Sequence, residues 1–188
     1  VYNGIPSTTN AAADFAIGQA NLTTNTTTDA DFTIQSDYLK APTDVLLHNN
    51  HLYISDTGYH RVLVFNTVPT IVDQKPNLII GHSAANNILP NRGLPVAAEG
   101  LNYPTNLTAV GNTLAVADRD NHRALLYNLP ITANAEAAQK VLGQSTMNAN
   151  MPGVGQGQFN QPNGIFFDGG FMWVVDSLDH RVQVVAIP

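Results

Sequence analysis

The sequence predicts an all-β fold, three four-stranded antiparallel blades packed side by side as in a β-propeller. Two periodic observations predict it. Three segments align without a gap: Pro42 to Arg61, Pro104 to Arg123 and Pro162 to Arg181. In each, the Pro is followed 14 residues later by Asp56, Asp118 or Asp176, and four residues after that comes His60-Arg61, His122-Arg123 or His180-Arg181. A register held at offsets of 62 and 58 residues marks one structural unit used three times. An apolar stretch ending in glycine recurs in step with it, at Gly18, Gly81 and Gly143.

Each unit reads as four short strands. The inner strand follows the Pro, at 45–47, 107–110 and 165–167. Asn49-Asn50, Gly111-Asn112 and Gly169-Gly170 suit the left-handed backbone of a tight hairpin and lead into the second strand. That strand (52–55, 114–117 and 172–175) is apolar at nearly every position, which requires cover on both faces. The third strand follows the Arg, at 62–65, 124–127 and 182–185. The fourth is the Gly-terminated stretch, at 78–81 and 141–143, with 15–18 as a further copy. Such sheets, repeated at long period, stack radially as blades. Asn134-Ala-Glu-Ala-Ala-Gln, between the third and fourth strands of the second unit, reads as one helical turn.

The pattern Pro-x-x-apolar, then apolar-x-Asp-x3-His-Arg-Val-x-Val-Phe, resembles the NHL repeat. It is carried by 42–65, 104–127 and 162–185, with Ala124 in place of Val in the second copy. Together with the Gly-terminated strands, the resemblance covers most of residues 14–188. It implies a propeller, usually of six blades, and no single activity, since such propellers serve as binding platforms, lyases and lactonase-like enzymes. Residues 1–13 then form an N-terminal extension, and 14–188 a propeller unit. Blade 1 spans about 42–82, blade 2 about 104–144, and blade 3 about 162–188 together with strand 14–19.

Counting strands yields an assembly expectation. The third unit has no fourth strand after it, while 15–18 is a fourth strand with no blade in front of it. A ring takes roughly four to eight blades, and an open arc of three leaves apolar faces in water. The expected partner is a second copy, giving a homodimer in which 15–18 of each chain completes the other's third blade, or a complementary half-propeller. Either one completes a six-bladed ring. Head-to-tail exchange would instead build an open surface polymer. The opening Val-Tyr-Asn, without Met, fits a processed chain or a piece of a longer one.

Composition narrows the function classes. Charged residues are 12%, about half the usual ~25%, with 14 acidic against 8 basic and a net charge of −6. That leaves no basic footprint for nucleic acid. No apolar run approaches the ~20 residues of a membrane span. The absence of Cys excludes disulfides, thiolate metal sites and a Cys nucleophile. Few charges, with Asn-x-Thr sequons at Asn21, Asn25 and Asn106, fit an extracellular, periplasmic or cell-surface protein.

Positions present once per blade read as scaffold. Asp56, Asp118 and Asp176 end the second strand while Arg61, Arg123 and Arg181 begin the third, so each pair bridges one turn by a charge-assisted hydrogen bond. His60, His122 and His180 are spread round the ring rather than converging on a metal. Strand direction puts the start of strand one, the turn after strand two and the end of strand four on one face. The unlike connections 20–38, 83–101 and 145–159 share that face, where recognition is usually placed. Tyr38, Tyr59, Arg92, Tyr103 and Arg119 are the expected anchors there for a protein or glycan. At the channel mouth, Asp44, Asn106 and Asn163 supply the oxygens Ca²⁺ takes. The stretch Pro162-Asn-Gly-Ile is also similar to the metal-binding stretch of gluconolactonase-like propellers. The acidic ligand expected near the start of those enzymes has no match here. The rival reading is thus a Ca- or Zn-dependent lactonase- or lyase-like enzyme. The sequence carries no nucleophile elbow, His-Glu-x-x-His, phosphate loop or dinucleotide fingerprint, and its only glutamates are Glu99 and Glu136. The reading that leads is a binding or assembly module.

Overall fold

The described residues, 7–25, 38–72 and 74–187 of the computed structural model, form three antiparallel sheets. The first runs β1 (Asp44–His48), β2 (His51–Asp56), β3 (Arg61–Phe65) and β4 (Leu78–Ile80). The second runs β5 (Pro104–Val110), β6 (Thr113–Asp118), β7 (Arg123–Asn128) and β8 (Lys140–Leu142). The third holds β9 (Pro162–Asp168), β10 (Phe171–Asp176) and β11 (Arg181–Ala186), and β11 is its edge. Each sheet is a meander in chain order, one blade. No helix among the described residues is long and apolar enough to cross a membrane.

The local chemistry explains the turns. Asn49 and Asn50 take φ of 48° and 64°, and Gly169 and Gly170 take 56° and 83°, the left-handed pair that closes a two-residue hairpin. Between the second and third strands, three-residue 3₁₀ turns (Thr57–Tyr59, Arg119–Asn121, Ser177–Asp179) each end on a left-handed histidine, at φ 54°, 55° and 53°.

The core lies between blades. Tyr53, Val62, Val64 and Ile80 on the forward face of blade 1 meet Leu107, Leu114, Val116 and Leu125 on the rear face of blade 2. Ala115, Ala117, Ala124 and Leu126 on the forward face of blade 2 meet Ile165, Met172 and Val174 of blade 3. The rear face of blade 1, formed by Leu52, Ile54, Leu63 and Phe65, is covered by Ile17 and Leu39. Blade 3 has no such neighbour in front. Phe166, Trp173, Val175, Val182 and Val184 project forward from it into solvent.

Residues 15–18 lie on the rear face of blade 1 and carry no strand pairing within the single chain, while the β11 edge belongs to blade 3 at the opposite end of the arc. One expectation changes. Residues 134–139 form a turn rather than a helical turn. The Ile79 N–H donates to Asn134 Oδ1 and the Ala135 N–H to the Ile79 carbonyl, both at 2.9 Å. Pairing with the open edge of β4 replaces the hydrogen bonds a helical turn would supply.

Candidate functional site

The loop-bearing face is held by the repeated Asp–Arg pairs. Arg61 Nε to Asp56 Oδ2 and Arg123 Nε to Asp118 Oδ2 are each 2.7 Å, with all four side chains fully buried. The Arg181–Asp176 pair is 2.8 Å, and its Arg is a third exposed. The other carboxylate oxygen of each Asp accepts a backbone N–H from the residue two before the Pro that opens its own blade, namely Lys40, Asn102 and Asn160, at 2.6 Å. Burial pushes the Asp56 and Asp118 carboxyls upward, against the pull of Arg61 and Arg123. The remaining guanidinium donors fasten the long connections. Arg61 bonds the Tyr38 and Ala85 carbonyls, and Arg123 those of Ala97, Gly100 and Met147. One arginine therefore ties the loop entering its blade to the loop leaving it.

The histidines carry a different contact. His60 Nδ1 accepts the Tyr103 N–H at 3.0 Å, and His122 Nδ1 accepts the Gln161 N–H at 3.1 Å. Each is a clasp onto the following blade. Their recurrence once per blade predicts packing, but their partner is a backbone N–H and leaves no side-chain signature. A second missed pair is Asn91 and Asn121, buried and reciprocally hydrogen-bonded at 2.8 and 3.2 Å, which seats connection 83–101 on the blade 2 turn.

At the start of the inner strands the structure joins Asp44 to Asn106 and leaves Asn163 apart. Asp44 Oδ2 accepts Asn106 Nδ2 and the Leu107 N–H, both at 2.7 Å, and Oδ1 accepts the Val45 N–H at 2.8 Å. Asn106 Oδ1 accepts the Ile165 N–H at 2.8 Å. Asp44 Oδ2 and Asn106 Oδ1, oxygens a cation would take, are thus occupied by N–H donors from the next inner strand, and Asp44 Oδ1 by the N–H of Val45 beside it. Asn163 stands one register position away and contributes its carbonyl to Thr105 Oγ at 3.0 Å. No cluster of three acidic or histidine ligands forms among the described residues. Millimolar Ca²⁺ or Zn²⁺ added after chelator dialysis is expected to leave the thermal midpoint within about 1 °C. A rise of several degrees that Asp44→Ala removes would restore a cation site.

Of the face candidates, Tyr59 is buried, its ring under Lys40 Nζ at 5.6 Å and Arg61 at 5.2 Å, and presents nothing to a ligand. The turn Thr57–Tyr59 winds into 3₁₀ geometry and drives the aromatic inward, so Tyr59 is core rather than the surface anchor its sequence position predicts. Tyr38 is half-buried and contributes its carbonyl to Arg61. Most of its connection, 26–37, lies outside the described residues. Arg92 pairs with Glu99 at 3.5 Å. Tyr103 and Arg119 come together, the guanidinium 5.3 Å above the ring, with Arg119 Nη2 donating to Gln161 Oε1 at 3.0 Å and Arg119 Nη1 forming a longer ion pair with Asp120 Oδ1 at 3.7 Å. His60 approaches the Tyr103 ring at 6.2 Å. This half-exposed cluster of one aromatic face, one cation, one carboxylate and one amide sits where three blades meet. The opposite face carries a cleft of about 200 Å³ between His48, His51, Tyr53 and Asn112, which no sequence motif announced.

No protein-family model matches the chain, and no curated protein matches it in sequence. Among solved structures the chain is similar to an auxiliary nutrient binding protein from Bacteroides ovatus, with a TM-score of 0.55 and 18% identity over 76% of this chain and 36% of that one. A second such protein, from Bacteroides thetaiotaomicron, gives a TM-score of 0.52 and 17% identity over 81% of this chain and 38% of that one. The chain thus spans less than two fifths of the length of these proteins, and the likeness is one of fold.

Proposed function

We propose that the chain is an NHL-type propeller unit that works outside the cytoplasm as a binding module, its ligand being a glycan held at the Tyr103–Arg119 cluster. The observation that carries this reading is the way the loop face is built. Buried Asp–Arg pairs fix the connections, and among the described residues the Tyr103–Arg119 pair is left half-open on that face while Tyr59, under Lys40 and Arg61, is buried. A ring face with adjacent bidentate donors and acceptors suits sugar hydroxyls, and rigid loops spare the entropy of ordering them on binding. The nutrient-binding description of the two similar structures points the same way, as do the sparse charges and the sequons. In this reading the three blades are half of a six-bladed ring.

Titration calorimetry against a panel of soluble oligosaccharides tests it, with acidic and neutral peptides as the comparison set. Tyr103→Ala and Arg119→Ala are each expected to weaken the bound sugar by roughly tenfold or more, the ~1.4 kcal/mol scale of an interface anchor. Both side chains lie at the surface, so the fold survives. Sugar binding that ignores both substitutions, or binding of peptides alone, would overturn the assignment.

A further inference from the structure

We infer that a second copy of this chain closes the arc, its blade 3 seating against the rear of blade 1 and taking residues 15–17 as its fourth strand. This rests on the six-bladed reading above and names the partner that supplies the missing half.

The two blade-to-blade junctions inside the chain serve as templates. On forward faces, Val62 and Val64 of blade 1 and Ala124 and Leu126 of blade 2 are all buried by the next blade, yet the equivalent Val182 and Val184 are 57% and 49% exposed. On rear faces, Leu107 and Ile165 are buried, yet the equivalent Val45 is 62% exposed beside an open cleft of about 420 Å³. One end of the arc therefore has the surface that the other end is built to receive. A chain with one forward and one rear face makes both contacts at once about a two-fold axis, so two copies close without leaving an edge.

The leading segment is already in place for that contact. Gly18, Gly81 and Gly143 share φ of 84°, 95° and 88°, and each backs onto an apolar residue three before the next Pro: Leu39, Leu101 and Phe159. Residues 15–18 thus hold the station of a fourth strand belonging to a blade in front of blade 1. In the template sheets, Val62 pairs with Ile80 and Ala124 with Leu142, each one residue before the glycine. The same register sets Val182 of the second copy opposite Ile17 and Gln183 opposite Ala16.

The polar contacts repeat as well. Tyr103 and Gln161, whose N–H groups enter the histidine clasps, have left-handed φ of 59° and 54°, and the equivalent Ala41 has 47°. The Ala41 N–H has no acceptor, and the His180 ring no partner, among the described residues. Closure joins them across the copies.

Multi-angle light scattering at about 1 to 100 μM, with interchain cross-linking, decides it. The expected mass is a single species at twice 20.1 kDa. Val182→Lys and Val184→Lys, exposed in the single chain and so tolerated by its fold, are expected to give a folded monomer. Ala16→Cys with Gln183→Cys, in a chain with no other cysteine, is expected to form an interchain disulfide under mild oxidation. A monomer at every concentration, an open series of masses, or a dimer that neither lysine variant disturbs would overturn the inference. None of these results touches the Tyr103 and Arg119 titrations, which judge the ligand reading separately.

Discussion

Arg123→Ala is expected to destabilise the chain by about 3–5 kcal/mol, the cost of stranding a buried carboxylate by removing its partner. That is a large part of the ~5–15 kcal/mol a domain holds. Arg123 is fully buried, as is Asp118, and its donors also serve three loop carbonyls from both sides of the blade. Denaturant unfolding at pH 7 reads the loss directly. Arg123→Lys should recover little, because a single ammonium cannot reproduce the guanidinium fork. Asp118→Asn combined with Arg123→Ala should be milder than Arg123→Ala alone, since it removes the stranded charge. Arg181→Ala should cost less than Arg123→Ala in the single chain, its side chain being a third exposed. Equal losses at 123 and 181 would show that burial does not set the cost.

Those arginines also show how much the sequence exposes and where it stops. Their pairing with Asp56, Asp118 and Asp176 was legible because both partners are side chains repeated in register. Strand positions were legible for a similar reason: apolar runs need cover, and Asn or Gly pairs need hairpins. What stayed hidden involves backbone partners. The clasp between His60 and the Tyr103 N–H depends on a left-handed residue whose identity changes from Ala41 to Tyr103 to Gln161. The oxygens of Asp44 and Asn106 suggested a cation, but inner-strand N–H groups of the next blade take them, a competitor no residue pattern displays. Tyr59 had the composition of a surface anchor, and only the winding of its turn buries it.

Acid is expected to destabilise the protein through His82, which sits fully buried where the next blade carries Gln144. Its Nε2–H donates to the Tyr59 carbonyl at 2.9 Å, while Nδ1 has no partner among the described residues. Burial, with Arg61, His60 and Arg92 nearby, holds its pKa down at about 4, against 6.5 for a free imidazole. Between those values the unfolded chain binds a proton that the folded chain refuses. The stabilisation is therefore whole above about pH 6.5 and lost as pH falls toward 4, by about 3 kcal/mol at 1.36 kcal/mol per pKa unit. Burial lowers His60 and His122 as well and adds to the same slope. The raised Asp56 and Asp118 act in the opposite sense at the acid end. The difference between wild type and His82→Gln isolates the histidine, since Gln144 already occupies the equivalent position and donates to the His122 carbonyl at 2.8 Å. Unfolding free energies at pH 7.5, 5.5 and 4.5 should fall more steeply for wild type, with the variant's profile flatter across that window. Parallel profiles would mean that the folded interior admits the proton, and the burial of His82 would then carry no pH dependence.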